Sequence, residues 1–237
     1  MIKLLIINKF HRYRAWLCTS ICFFAFFFAF FLPGYSSAAI NFDRLLSLAS
    51  QQYGARGQQN ITDLRTLLSQ LQDVTEQEKL KRINLFVNQK IRIFGNDIDI
   101  WGKSDYWATP LESLGREAGD CEDFSIAKYM FLRELGISND KLRLTYVRAQ
   151  IGGPNSRIFQ AHMVLSYYAT PDAEPLILDN LISDIRGASR RTDLKPIFGF
   201  NSNGLWVGSS SSSRGDSSTH LSRWRGLLER ARNEGIE

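Results

Sequence analysis

Residues 119–136 read Gly119-Asp120-Cys121-Glu122-Asp123-Phe124-Ser125-Ile126-Ala127-Lys128-Tyr129-Met130-Phe131-Leu132-Arg133-Glu134-Leu135-Gly136. From Phe124 to Leu135 the stretch is apolar on nearly every face. That pattern predicts a helix crossing a core rather than lying on a surface. Gly136 closes it, and the polar block before it forms its first turn. Beyond Gly136 the period changes. Leu142, Leu144 and Tyr146 alternate with Arg143 and Thr145. Ala161-His162-Met163-Val164-Leu165-Ser166-Tyr167-Tyr168 reads as a second strand and Leu176-Ile177-Leu178-Asp179-Asn180 as a third. Turn residues separate them: Gly152, Gly153 and Pro154, then Pro171 and Asp172.

Upstream the signals are helical. Asn41 caps a short amphipathic helix over 41–53 that Gly54 ends. A second helix is predicted from Thr62 to Leu71. A third starts at a capping box, Thr75 with Glu78, and places Leu80, Ile83, Val87 and Ile91 on one side. Gly95 to Ala108 reads as a loop. Thr109-Pro110-Leu111-Glu112 is another capping box, with proline in the first helical position. Helices first and strands after predict an α+β fold: a helical N-terminal part and a cysteine-bearing helix packed on an antiparallel sheet. The domain is expected over 39–208. Ser209 to Ser213 reads as a linker, so 209–237 is expected to be a Ser-rich linker and a polar tail. A weakly docked helix is predicted there over about Leu221 to Arg232.

The first 38 residues have a separate purpose. Lys3, Lys9, Arg12 and Arg14 precede an apolar run from Trp16 to Leu32, and small residues follow at Ser36, Ser37, Ala38 and Ala39. This is the order of an export signal, with cleavage expected after Ala38 or Ala39. The alternative is an uncleaved anchor, since the run approaches bilayer length. Either reading sends the domain to the periplasm. The chain has 29 Lys+Arg against 24 Asp+Glu. Four of the basic groups leave with the signal, so the remainder is 25 against 24. Near neutrality gives no argument for nucleic-acid binding. Of the three cysteines, Cys18 and Cys22 lie in the apolar run. Cys121 then remains alone, without an internal disulfide partner, in a compartment that favours disulfides.

A nucleophilic cysteine needs its thiolate, a base and a group that orients the base. Cys121 stands at a helix start, where unpaired amides favour negative charge. His162 lies in an apolar strand, where a neutral side chain would fit more easily. His220 lies beyond the serine run. Asp179 ends an apolar strand. The three can converge if the sheet packs on the helix. Taken singly, each residue also fits a structural role: a core thiol, a buried histidine, a turn aspartate. Asp120, Glu122 and Asp123 crowd the cysteine. They suit an N-cap and the helix dipole, yet they oppose thiol ionisation. A bound Ca²⁺ would answer that, because several carboxylate oxygens suit a hard dication.

Taken together, Trp107-x-Thr109-Pro110-x-Glu112, Gly119-Asp120-Cys121-Glu122-Asp123-Phe124, Lys141-Leu142-Arg143-Leu144-x-Tyr146-Val147, Ala161-His162-Met163-Val164-Leu165 and Leu176-x-Leu178-Asp179-Asn180 resemble the bacterial transglutaminase-like cysteine proteinases. The similarity runs roughly from Phe42 to Trp206. It implies a papain/transglutaminase-like fold and a catalytic triad of Cys121, His162 and Asp179. It also implies Ca²⁺ bound at Asp120, Glu122 and Asp123. The implied substrate is a large surface adhesin held at the outer membrane, cut in its N-terminal region at a di-alanine site. The implied inhibitory partner is the periplasmic domain of an inner-membrane cyclic di-GMP receptor. Neither nucleic acid nor stable membrane insertion after signal cleavage is expected. The same triad would serve a transglutaminase or amidase, and the same fold a non-catalytic calcium-responsive binding module. Trp107 is expected either in the core or beside the cleft.

Overall fold

The computed structural model describes residues 40–208 and 222–236. The predicted signal, its cleavage site, the serine run and His220 lie outside the described residues. Helix α1 spans Phe42–Gln70 and bends at Gly54, whose φ of 66° lies in the left-handed region. Asn41 caps it by accepting the Arg44 amide. The half after Gly54 begins well before the predicted Thr62. The intervening residues carry no apolar period, but tertiary contacts hold them helical. The buried Asn60 donates to the Leu114 carbonyl and to Glu117.

Helix α2, Glu76–Lys90, starts at Thr75 as its capping box predicts. A two-residue strand β1, Ile93–Phe94, follows, then a short helix α3, Asp97–Trp101, inside the expected loop. Helix α4, Pro110–Arg116, has its capping box formed in both directions. Strand β2, Ala118–Gly119, pairs in parallel with β1 and delivers the chain to helix α5, Cys121–Glu134. Every side chain of α5 from Asp123 to Leu132 is buried, as the all-round apolar sequence predicts.

Six strands form the main sheet: β3 Leu142–Ile151, β4 Ile158–Tyr167, β5 Leu176–Leu178, β6 Arg186–Gly187, β7 Leu194–Asn201 and β8 Gly204–Val207. Their order is β6-β5-β4-β3-β7-β8, antiparallel throughout. Helix α5 lies between this sheet and the other helices. Met163, Leu165, Leu144 and Phe200 meet Phe131, Leu132 and Ile126 in the main core. This is the α+β architecture expected. Strand β7 was not legible because Pro196 interrupts it. The register shifts between Tyr146 and Val147, whose partners are Phe198 and Pro196. The resulting bulge accommodates a residue that cannot donate to a ladder.

The end of the chain corrects the expectation of weak docking. Helix α6, Ser222–Glu234, buries Trp224, Leu227 and Ala231. Those positions share one helical face, so a polar composition conceals a narrow apolar stripe. Trp224 sits edge-on to Tyr129 and to Phe200, with centroids 5.4 and 5.6 Å away. Phe200 in turn stacks on Trp107 at 5.6 Å. Trp107 is thus a core residue. Behind it, the Gly235 carbonyl accepts the Asn41 amide at 2.8 Å, which joins the two ends of the domain. Among the described residues no helix is long and apolar enough to cross a membrane.

Replacing the wholly buried Trp224 by alanine should cost about 3–5 kcal/mol of stability. Urea unfolding measures it. Leu85→Ser, at a half-exposed position, should change stability by no more than about 0.5 kcal/mol.

Candidate active site

The turn that carries Cys121 is built by its acidic neighbours. Asp120 is the N-cap and accepts the Glu122 amide at 3.1 Å. Asp123, wholly buried, closes the capping box by accepting the Asp120 amide at 3.2 Å. The Trp101 indole donates to the same oxygen at 3.3 Å, and the other oxygen accepts the Ala108 amide at 2.7 Å. A side chain at position 119 would place Cβ 2.8 Å from Asp123 Cβ. Glycine there is what lets this carboxylate fold back. The Gly-Asp-x-x-Asp spacing is therefore a device for fixing the nucleophile's turn.

Strand β5 stops at Leu178, opposite Leu165. The edge of β4 upstream is left for α5 to cover. There the Met163 carbonyl accepts the Ser125 hydroxyl at 3.1 Å, and the Met163 backbone amide faces the Cys121 thiol. His162 is the preceding residue of β4. His162 is buried, and its Nε2 lies 2.8 Å from Asp179 Oδ1. The chain leaves β5 at Asp179, whose Oδ1 also accepts the Leu181 amide at 3.1 Å. Its Oδ2 accepts from Arg191 Nη2 at 2.7 Å. Burial works against the carboxylate's charge, but the bond and charge of His162 and the bond from Arg191 win. They hold Asp179 at about 2.

Cys121 has the opposite environment. Burial pushes its thiol up strongly, and the charge and hydrogen bond of Glu122 and the charge of Asp120 add to this. The neutral thiol donates to Glu122 Oε2 at 2.8 Å, while the Tyr146 hydroxyl donates to Oε1 at 3.1 Å. Three carboxylates crowd the other side of the turn. One oxygen each of Asp97, Asp120 and Asp123 lies within 4.8 Å of the others. Burial pushes Asp123 up to about 7. It also raises Asp120 and Asp97, reinforced by the neighbouring acids. Asp97 Oδ1 is buried without a hydrogen-bond partner. An oxygen-rich, charge-frustrated cluster with an orphaned acceptor fits a hard dication. Glu122, grouped with Asp120 and Asp123 from the sequence, lies outside this trio. Residues 120 and 123 share a helical face and 122 does not.

Sequence reasoning missed Asp97 and Arg191. Asp97 arrives from a loop with no periodic signal, and Arg191 from a turn after the last recognised strand. Each gains its position only through tertiary structure.

A cysteine opening a buried helix, packed on an antiparallel sheet that supplies histidine and aspartate, defines a thiol hydrolase of the papain and transglutaminase class. The chain belongs to the bacterial transglutaminase-like cysteine proteinase family, whose model matches residues 53–195. Solved structures of Legionella pneumophila LapG are similar to it. The EGTA-treated form is 39% identical with a TM-score of 0.70, covering 81% of this chain and 98% of that one. The calcium-bound form is 39% identical with a TM-score of 0.67, covering 81% and 99%. A further LapG structure is 37% identical with a TM-score of 0.67, covering 81% and 98%. None of the curated proteins compared with the chain matches it.

The depressed Asp179 fixes the sign of one pH effect. Its ionised form stabilises the fold fully above the unfolded aspartate value of about 3.9, and this contribution is lost as pH falls towards about 2. Urea unfolding between about pH 2 and pH 5 should show a shallower acid loss in Asp179→Asn than in the wild type.

Proposed function

We propose that the protein is a calcium-dependent periplasmic cysteine endopeptidase. Its substrate is the N-terminal region of a large adhesin held at the outer membrane, cut at a di-alanine site. The observation that carries the reading is the buried His162–Asp179 pair, 2.8 Å apart, with His162 on the strand beside the Cys121 turn and Asp179 just past the next. Family membership and the likeness to LapG support proteolysis over amine transfer. The basic and apolar leader supports export. Cleavage would release the adhesin and promote biofilm dispersal, and a cyclic di-GMP receptor domain of the inner membrane would restrain the enzyme by binding it.

Cys121 attacks the scissile carbonyl after passing its proton to His162. Asp179, bonded to Nε2, leaves the other ring nitrogen for that proton and stabilises the charged ring. The Cys121 amide helps hold the oxyanion. His162 returns the proton to the leaving amine, and water then hydrolyses the thioester. Asp97, Asp120 and Asp123 would hold Ca²⁺, with Glu122 as the additional carboxylate suggested by the sequence. The ion would offset the negative field that keeps the thiol neutral. Glu122 must release the thiol before the proton can reach His162.

The test is cleavage of an N-terminal adhesin fragment from the same genome. Cys121→Ala should lose at least about 1,000-fold in rate. Excess chelator should abolish cleavage and Ca²⁺ restore it. Full cleavage by Cys121→Ala, or in chelator, would refute the reading. Labelled amine incorporated without net cleavage would point to a transglutaminase instead. Ca²⁺ should also raise the melting temperature, and Asp97→Asn should need about tenfold more Ca²⁺ for the same shift.

A further inference from the structure

Asp179 carries more apparatus than orienting a histidine demands. It is buried, and each of its oxygens is committed. Oδ1 serves His162 and the Leu181 amide, while Oδ2 accepts from Arg191. Arg191 is itself buried. Its Nε and Nη2 bond the two oxygens of Asp193 at 3.0 and 2.8 Å. The guanidinium is thus locked as a bridge between two carboxylates, and its planar fork fixes direction as well as charge. The other cation near Asp179 cannot do this. Lys128 of α5 acts on Asp179 through charge, but its Nζ is buried and has no hydrogen-bond partner among the described residues. Burial pushes Lys128 down to about 7, so its charge is incomplete near neutral pH. The remaining neighbour, Asn88 of α2, donates to the Asp179 backbone carbonyl rather than to the carboxylate.

We infer that Arg191 is a positioning residue, which clamps the Asp179 carboxylate so that its other oxygen stays aimed at His162. Without the clamp, rotation of the Asp179 side chain would let Oδ1 leave the imidazole. His162 would then lose both its fixed tautomer and the partner for its charged form. A cavity of about 420 Å³ adjoins the arginine on the side away from α5, lined in part by Val147, Val164, Ile177 and Leu194. Arg191 also lines it. A small cation could therefore reach the space left by truncating this side chain.

The inference rests on the triad proposed above, so its test reads the His162–Asp179 bond directly as well as turnover. A hydrogen-bonded ring N–H held by a carboxylate gives a far-downfield proton NMR signal, which the His162→Ala variant assigns by its absence. In the wild type this signal should survive acidification until Asp179 protonates. In Arg191→Ala it should disappear at least about one pH unit higher, because a cation that favours the carboxylate is gone. The kcat for the adhesin fragment should fall about 10- to 100-fold with little change in KM, short of the loss expected from removing Asp179 itself. Guanidinium chloride at a non-denaturing concentration should restore signal and kcat, whereas equal NaCl should not. Arg191→Lys keeps the charge and should keep the acid limit, with a smaller loss of kcat. Wild-type signal, acid limit and kcat in Arg191→Ala would overturn the inference. So would equal losses in both variants that guanidinium fails to rescue, the mark of a general structural role. If Arg191→Ala does not fold, judged by circular dichroism, Arg191→Lys decides alone. A retained acid limit with reduced kcat supports the clamp, and any other pattern overturns it. A signal that responds as described in a protein that cuts no adhesin would uphold the clamp while rejecting the protease reading.

Discussion

The site depends on one buried carboxylate that moves no proton and forms no bond to substrate in the proposed reaction. Asp123 accepts the amides of Asp120 and Ala108 and the indole of Trp101. Those bonds tie the start of α5 to the segment before α4 and to the end of α3. A carboxylate buried to this degree is costly unless every oxygen is used. Here the cost is offset by backbone donors that would otherwise be orphaned at a helix start. The nucleophile's position therefore follows from helix capping. The close approach at Gly119 is its steric condition.

Around that turn the structure separates two electrostatic regimes. On the strand side, Asp179 is strongly acidic because His162 and Arg191 overcome its burial. On the helix side, Asp97, Asp120 and Asp123 are all raised, and the thiol with them. Cys121 lies between a region rich in compensating cations and one with uncompensated acids. Such opposed shifts within one cleft are characteristic of sites that move protons. The aromatic series Trp224, Phe200, Trp107 and Tyr146 runs from α6 to the hydroxyl that holds Glu122. The last helix thus helps support the thiol's surroundings.

Much of this was legible in the sequence, and the reasons are physical. Helices α2 and α4 announce themselves by capping boxes, α5 by its apolar run closed at Gly136, and β3 to β5 by alternating or apolar runs bounded by turn residues. Cys121, His162 and Asp179 stand out because polar or reactive side chains in apolar runs are expensive and call for a reason. What stayed hidden depends on contacts distant in sequence. Strand β7 contains Pro196, and only its bulge explains how it joins the sheet. Helix α6 follows a serine run and is mostly polar, so its three core residues were outweighed by composition. Asp97 and Arg191 look like ordinary loop charges until the fold brings them to the turn and to Asp179. Glu122 was grouped with its neighbours by proximity in sequence, but helical geometry directs it to the thiol and Tyr146.

The bond between the Asn41 amide and the Gly235 carbonyl has a consequence for how the molecule comes into being. It closes a loop that contains nearly the whole domain, and Trp224 fills the core only from within that final segment. A chain emerging amino end first cannot complete this interior until the segment carrying Trp224 is free. Until then the hydrophobic face awaiting Trp224 stays open, and the cysteine turn lacks its aromatic backing. Closure of the core is thereby timed by the arrival of α6.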